Sequence, residues 1–299
     1  MSGERRGQLV LVATPIGNLG DLSPRARDVL AAADLICCED TRRTRALLSA
    51  IGVPAGGSRG DRLLSLHGHN EAARLERVAA AVAAGATVAV VSDAGTPGIS
   101  DPGAWLAAQL AASGETVSAV PGPSSVLGAL VVSGLSTDRF CVEGFLPRKG
   151  PERRRRVAAL MADERTTVVL EAPGRVAATL TELSSADPLR PAAVVRELTK
   201  VHEEVWRGPL AEAAEAFAAR QLRGEVVLVI GGAPAPESPG DSDVETAVRA
   251  ELGDDPSAGP RQVAERVAAA LGVPRRRAYE TALRLRAAGD GEAGTSGHG

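Results

Sequence analysis

Val90-Val91-Ser92-Asp93-Ala94-Gly95-Thr96-Pro97-Gly98-Ile99-Ser100-Asp101-Pro102-Gly103 is the stretch on which the fold turns. It opens on the β-branched run Thr87–Val91 and closes where a helical pattern begins at about residue 101. It therefore reads as the C-terminal end of a strand passing into the N-terminus of a helix. In open α/β sheets that is where the ligand crevice lies. Small residues and prolines let a ligand lie against the backbone here, and the Asp93 carboxylate can accept from its hydroxyl or ammonium groups. Asp101, at the helix start, is read as an N-cap that meets free N–H groups. A strand-to-helix turn without ligand is the weaker alternative, kept because ligand loops and plain turns share these residues.

Working outward, the same alternation repeats. Leu9–Ala13, Leu35–Cys38, Leu63–Leu66, Thr87–Val91 and Thr116–Val120 read as strands, with helices over 23–33, 41–51, 70–84 and 101–113. Ser23-Pro24 is an N-cap followed by a favoured first helical residue, and Gly52, Gly85 and Gly114 stand where helices end. Strands without strict polar alternation, separated by helices, belong to a parallel sheet covered on both faces. After Pro121-Gly122-Pro123 the pattern changes: a helix at 124–133, strands near 139–144, 166–171, 192–198, 205–207 and 226–230, and helices near 152–163, 174–185 and 209–222. Glu203–Arg207 follows Val194–Leu198 too soon for a helical crossover, so that pair is expected to be antiparallel. The expected fold class is α/β, with a parallel-sheet N-terminal domain (1–121) and a mixed-sheet second domain (122–232). A linker and acidic segment (233–258), a helix-turn-helix-like module (259–288) and a disordered tail (289–299) follow.

Composition narrows the function classes. The 299 residues are 44% hydrophobic and 24% charged, as in ordinary globular chains. With 34 basic and 37 acidic residues the net charge is −3, so nucleic-acid affinity must come from local patches. Aromatics at 2% argue against a platform stacking many bases. Three cysteines form neither a disulfide framework nor a zinc quartet, which fits a reducing cytoplasm. No apolar stretch approaches the ~20 residues a membrane span needs, and Leu9–Ala13 is too short for a signal core. A soluble, cytoplasmic protein is expected. Gly289-x-Gly291-x-x-Gly294 matches the dinucleotide fingerprint by chance, since no strand precedes it, and no P-loop lysine is present.

Further polar groups gather at the other strand ends. Ala13–Asp21, Cys38–Arg45 and Leu66–Glu71 should converge on one rim. Glu39 is a candidate base, and Asp40 either a base or the cap of the helix that starts at Thr41. His67 and His69 have metal-like spacing but lack further ligands, so no metal is expected. Val120–Ser125 is a second ligand turn or a hinge between the domains. Arg148, Lys149 and Arg153–Arg156 form a cationic stretch, either a solvated helix end or a phosphate contact. Over 261–286, seven arginines face two glutamates, which suits either an RNA backbone or a dimer contact.

TPIGNLGD (14–21), CEDTRRTR (38–45), LHGHNE (66–71), VSDAGTPGISDPG (91–103), PGPSS (121–125), RFCVEGFLPRKG (139–150), RELTK (196–200) and GEVVLVI (224–230), in this order, resemble the ribosomal RNA small subunit methyltransferase I family. That is a branch of the tetrapyrrole methylase superfamily. The resemblance implies S-adenosylmethionine as donor and the ribose 2′-oxygen of a decoding-centre cytidine of 16S rRNA, in the small ribosomal subunit, as acceptor. It implies a homodimer as well. By motif position Pro15, Asp93, Ala94, Gly95, Thr96, Ser125, Val126, Leu170, Val195 and Gly224 would hold the donor. Glu39, His67 and Lys200 are the candidates for proton transfer or alkoxide stabilisation. Arg42, Asn70, Glu71, Arg148, Lys149, Arg153, Arg275 and Arg276 would meet the RNA. Where the family usually has an aromatic pair before Glu171 and a His before Arg175, this chain has Val169-Leu170 and Gly174. Two other readings stay open: a methyltransferase acting on a tetrapyrrole, and a non-enzymatic nucleic-acid binder.

Overall fold

The computed structural model describes residues 7–57, 60–234 and 239–293. It divides into two compact units, Met1–Ala233 and Pro234–Gly299. The first unit holds two five-stranded sheets.

The first sheet is built from β1 (Gln8–Val12), β2 (Leu35–Cys38), β5 (Leu63–Ser65), β6 (Thr87–Val91) and β7 (Thr116–Val120), ordered β5-β2-β6-β1-β7. All four neighbouring pairs are parallel. A two-stranded ribbon, β3 (Gly56–Gly57) and β4 (Gly60–Asp61), stands apart. Because successive side chains point to opposite faces, one strand must feed two cores. Val10, Val12, Ile36, Cys38, Ala89 and Val91 pack with Ala26, Leu30 and Leu48 of α1 (Pro24–Ala32) and α2 (Thr41–Ala50). On the other face Leu9, Leu35, Cys37, Val88 and Val90 pack with α3 (Glu71–Ala83) and α4 (Ala104–Ala112) through Val78, Val82, Leu106 and Leu110. That double burial accounts for the unbroken apolar strands.

The second sheet runs β11 (Glu204–Pro209), β10 (Pro191–Arg196), β12 (Val226–Ile230), β9 (Thr166–Glu171) and β8 (Phe140–Phe145). Only β8 and β9 are parallel; the other pairs, including the expected β10–β11 hairpin, are antiparallel. One face is covered by α5 (Ser125–Ser133), whose Val126, Ala129 and Leu130 meet Val168, Val195, Val227 and Val229. The other face packs on α6 (Gly150–Ala162), α7 (Val176–Ala186) and α8 (Leu210–Phe217) through Leu160, Leu180, Leu183 and Phe217. The fold is thus α/β, with a parallel sheet followed by a mixed one.

The second unit departs from expectation. Residues 241–254, taken from their seven acids and one arginine over 237–255 as an acidic segment, form α9 (Asp241–Asp254). Its Val244 and Val248, four residues apart and fully buried, define an apolar stripe that the surrounding charge obscures. They pack against Val263, Val267, Ala278 and Ala282 of α10 (Pro260–Leu271) and α11 (Arg275–Ala293). The expected helix pair is therefore a three-helix module. Helix α11 also runs to Ala293, five residues into the expected tail; 294–299 lie outside the described residues, as do 235–238 of the expected linker.

Candidate active site

The loop after β6 is fixed by backbone pairing rather than by packing. Gly95 donates to Thr14 O at 3.1 Å and its carbonyl accepts from the Thr14 N–H at 2.9 Å. Ser92 Oγ donates to the carbonyls of Ala94 and Gly95, and Thr96 Oγ1 to Pro123 O at 3.1 Å. Gly95 sits at φ +83°, a left-handed conformation in which a side chain is strained. These bonds lock the first-strand loop, the Asp93 loop and the Pro121–Ser125 turn together.

Asp101 is not an N-cap. Helix α4 starts at Ala104, and the Gly103 N–H donates instead to Glu71 Oε1 at 2.5 Å. A left-handed turn at Ser100 (φ 62°) keeps Asp101 off the helix end. Glu71, expected to meet RNA, is thereby engaged as a cap.

Beside this loop lies a cavity of about 360 Å³. Asp93, Ala94, Gly95, Thr96, Ser125, Val126, Leu170 and Gly224 line it, eight of the ten residues that the resemblance assigns to the donor. Pro15 does not reach it; its neighbour Ile16 does. Val195 does not line it; it is buried in the core beside Val227, its partner on β12, and Val227 lines the cavity instead. The strand-end argument extends to Glu171, at the end of β9, yet Glu171 was not among the expected lining residues; Arg43, Phe145 and Glu225 were also missed. Gly224 (φ +85°) has no room for a side chain, since a Cβ would lie 2.1 Å from Glu197 Oε1.

Four carboxylates border the cavity, and three are compensated. Asp93 Oδ1 accepts from the Asp40 N–H at 3.1 Å, and its Oδ2 lies 3.3 Å from Arg43. Glu171, buried, accepts from Arg175 Nε at 2.6 Å and from Thr179 Oγ1 at 2.7 Å. Glu225 Oε2 is 3.1 Å from Lys200 Nζ, which also holds Glu197 at 2.7 Å. Those two acids keep Lys200 above its usual pKa although burial works against its charge. Asp101, half-buried, has no cationic partner among the described residues. Burial first, then the charges of Glu39 and Asp93, push it up to about 6, while a hydrogen bond from Ser92 opposes the shift.

The other expected residues lie outside the cavity lining. Glu39 is exposed. His67 is held by Asn70, whose Oδ1 accepts from the His67 N–H at 2.8 Å and whose Nδ2 lies 3.0 Å from its Nε2. Asn70 thus shapes its own turn. Arg42 pairs with Asp40 at 3.2 Å, and Asp40 caps α2 by accepting from the Arg42 N–H at 2.8 Å. Arg42 through these contacts holds the Asp40 carboxyl below the usual range. Arg148 and Lys149 are exposed. Arg153, expected on the RNA face, is buried instead, bonded to Glu182, Thr179 and Pro147 O. Its guanidinium bridges α6 and α7 because Thr179 and Glu182 share one face of α7, three residues apart. Arg275 pairs with Glu265 at 3.4 Å and Arg276 with Glu280 at 2.8 Å.

The comparisons with known proteins place this two-sheet fold among the methylases. A family model described as Tetrapyrrole (Corrin/Porphyrin) Methylases matches residues 8–214, and the chain belongs to that family. A uroporphyrin-III-C-methyltransferase from Thermus thermophilus has the same fold, with a TM-score of 0.53 at 22% identity over 76% of this chain and 94% of that one. Another structure of that enzyme is described as complexed with S-adenyl homocysteine. A curated relative from Mycobacterium tuberculosis (strain CDC 1551 / Oshkosh) is 49% identical over 76% of this chain and 78% of its own length. One from Synechocystis sp. is 43% identical over 95% and 100%. Both are named ribosomal RNA small subunit methyltransferase I, and within the methylases the chain belongs with them as a methyltransferase. Among the described residues no helix is long and apolar enough to cross a membrane.

Proposed function

We propose that the protein transfers a methyl group from S-adenosylmethionine to the ribose 2′-oxygen of a decoding-centre cytidine (cytidine 1402 in family convention) of 16S rRNA in the small ribosomal subunit. The observation that carries this reading is the cavity where the strand ends of both sheets meet. Its size is that of a small-molecule site. Ile16, Val126, Leu170 and Val227 offer an apolar wall to an adenine, and Asp93 and Glu225 offer carboxylates to a cationic donor. When bound, the donor supplies a methyl group already activated on a sulfonium. The task left to the chain is to bind, orient and exclude water, which can supply ~7–11 kcal/mol of the barrier. The backbone pairing of Thr14 with Gly95 gives that wall its rigidity.

RNA contact is assigned to Arg148, Lys149, Arg154 and Arg155, exposed cations with no acidic partner among the described residues. A homodimer, implied by the family resemblance, is supported by apolar side chains left in water. Leu127 and Val131 sit four residues apart on α5, and Phe140 and Val142 lie on edge strand β8. A cytoplasmic location goes with the proposed action on ribosomal RNA. The test is labelled donor offered to naked 16S rRNA, assembled small subunits and a tetrapyrrole precursor. Label in rRNA, at a ribose resistant to alkaline cleavage, supports the reading. Label in the tetrapyrrole alone overturns it.

A further inference from the structure

We propose that Asp101 is the proton acceptor for the ribose hydroxyl, a role resting on the function proposed above. Three groups considered from the sequence do not suit it. Glu39 and His67 lie outside the cavity lining. Lys200 is a cation held by Glu197 and Glu225, so it carries no free lone pair. Among the carboxylates that do line the cavity, Asp93 is engaged by Arg43 and the Asp40 N–H, Glu171 by Arg175 and Thr179, and Glu225 by Lys200. Asp101 alone keeps its lone pairs unclaimed by a cation.

Its placement is built, not incidental. The left-handed turn at Ser100 and the capping of α4 by Glu71 together release Asp101 from the helix end that its sequence position suggests. The charged groups facing it are Glu39 and Asp93 from the first sheet and Glu225 from the second. All three are acidic, and together with burial they raise its proton affinity into the range useful to a base at neutral pH. In the step, the ribose oxygen forms its bond to the methyl carbon as the carbon–sulfur bond breaks, its electron pair staying on sulfur. The hydroxyl proton passes to the Asp101 carboxylate, which ends neutral and returns the proton to solvent.

The test is single-turnover methylation of small subunits across pH 5–9, with donor affinity measured by calorimetry and melting followed at two pH values. The wild type is expected to lose rate below about pH 6, where Asp101 is protonated. Asp101→Asn is expected to lose a factor on the order of 10²–10⁴ in rate and to lack that acidic limb, with donor affinity within about threefold. Asp101→Glu is expected to recover part of the rate. Because a raised carboxyl pKa means that the folded state resists ionisation, the penalty is absent below the unfolded carboxyl pKa, grows as pH rises from there and is complete above the folded value of about 6. Asp101→Asn should therefore raise the melting temperature by a clearly larger margin at pH 8 than at pH 4.5. Wild-type turnover with an Asp101→Asn rate within tenfold, or with a retained acidic limb, overturns the role alone. A large affinity loss at unchanged rate reassigns Asp101 to donor binding and overturns it too. No methylation of subunits by the wild type overturns the rRNA reading and this role together.

Discussion

Replacing Thr179 by Val removes one buried hydroxyl bonded to Glu171 and almost nothing else. Thr179 is fully buried on α7; its Oγ1 donates to Glu171 Oε2 at 2.7 Å and accepts from Arg153 Nη2 at 2.9 Å. Val matches its shape, so no void opens and the loss is confined to hydrogen bonding. A bond to a charged group contributes about 1.5–3 kcal/mol. Both partners keep other bonds, Glu171 to Arg175 and the Ala172 N–H, Arg153 to Glu182 and Pro147 O, which places each loss at the low end. The total is about 3 kcal/mol. For a unit of this size, that corresponds to a fall in Tm of roughly 6–12 °C. Urea unfolding followed by Trp206 fluorescence, beside Phe217 in the same core, is the assay. Thr179→Ser, which keeps the hydroxyl, should recover most of the loss. A Thr179→Val cost below about 1 kcal/mol would show that the Arg153–Thr179–Glu171 chain is not a structural unit.

Glu71→Ala should cost about 0.5–2 kcal/mol, as loss of a helix cap does, and leave affinity for small subunits unchanged; weaker subunit binding at unchanged stability would return Glu71 to the RNA. Arg154→Glu with Arg155→Glu should flatten the slope of log affinity against log salt by about 1.4–1.8 if both meet phosphates. A chain ending at Ala233 should keep that slope within about 0.5 of the full-length value, since residues 239–287 balance eight arginines with eight acids; a larger change there would restore the C-terminal module as the RNA contact. Val131→Glu puts a charge on the apolar outer face of α5 and should convert a dimer to a monomer, read by sedimentation; an unchanged mass would place the dimer contact elsewhere.

Much of the fold is legible in the sequence because period and punctuation agree. Thr87–Val91, Thr116–Val120 and Thr166–Glu171 are strands in both readings, and the short spacing before Glu204 forces an antiparallel pair. The cavity loop at Asp93–Thr96 is legible because strand-end position and small residues coincide there. What fails is partnership across the chain. Nothing local says that Glu71 reaches Gly103, that Arg153 turns inward to Thr179, or that Val227 and not its partner Val195 lines the cavity. A cationic run looks alike whether solvent or a neighbouring helix receives it: Arg153 is buried while Arg154 and Arg155 are not. Charge counting fails in the same way at the C-terminus. Residues 239–287 hold eight arginines and eight acids. Only the fold brings Asp241 to Arg277 and Glu245 to Arg284.

Backbone strain marks the same place as the charges. The non-glycine residues with positive φ among the described residues are Ser100, Glu197 and Thr199. Ser100 lines the cavity beside Asp101, and the other two shape the turn after β10 that sets Lys200 on Glu197 and Glu225. Each such conformation costs about 1–3 kcal/mol and persists only where surrounding contacts enforce it. Here the enforcing contacts are identifiable. The Thr199 N–H donates to Glu203 at 2.7 Å, and Glu197 accepts from both Lys200 and the Glu225 N–H. The lysine is therefore held between two carboxylates, one of which, Glu225, lines the cavity. Glycine at 100 or 199 would relieve the strain and also free the loops to move. The strained residues fix the position of two opposite elements, a compensated Lys200–Glu225 pair on one wall and an uncompensated Asp101 on another. A rigid site with one free carboxylate is an arrangement suited to accepting a single proton from a hydroxyl held against it.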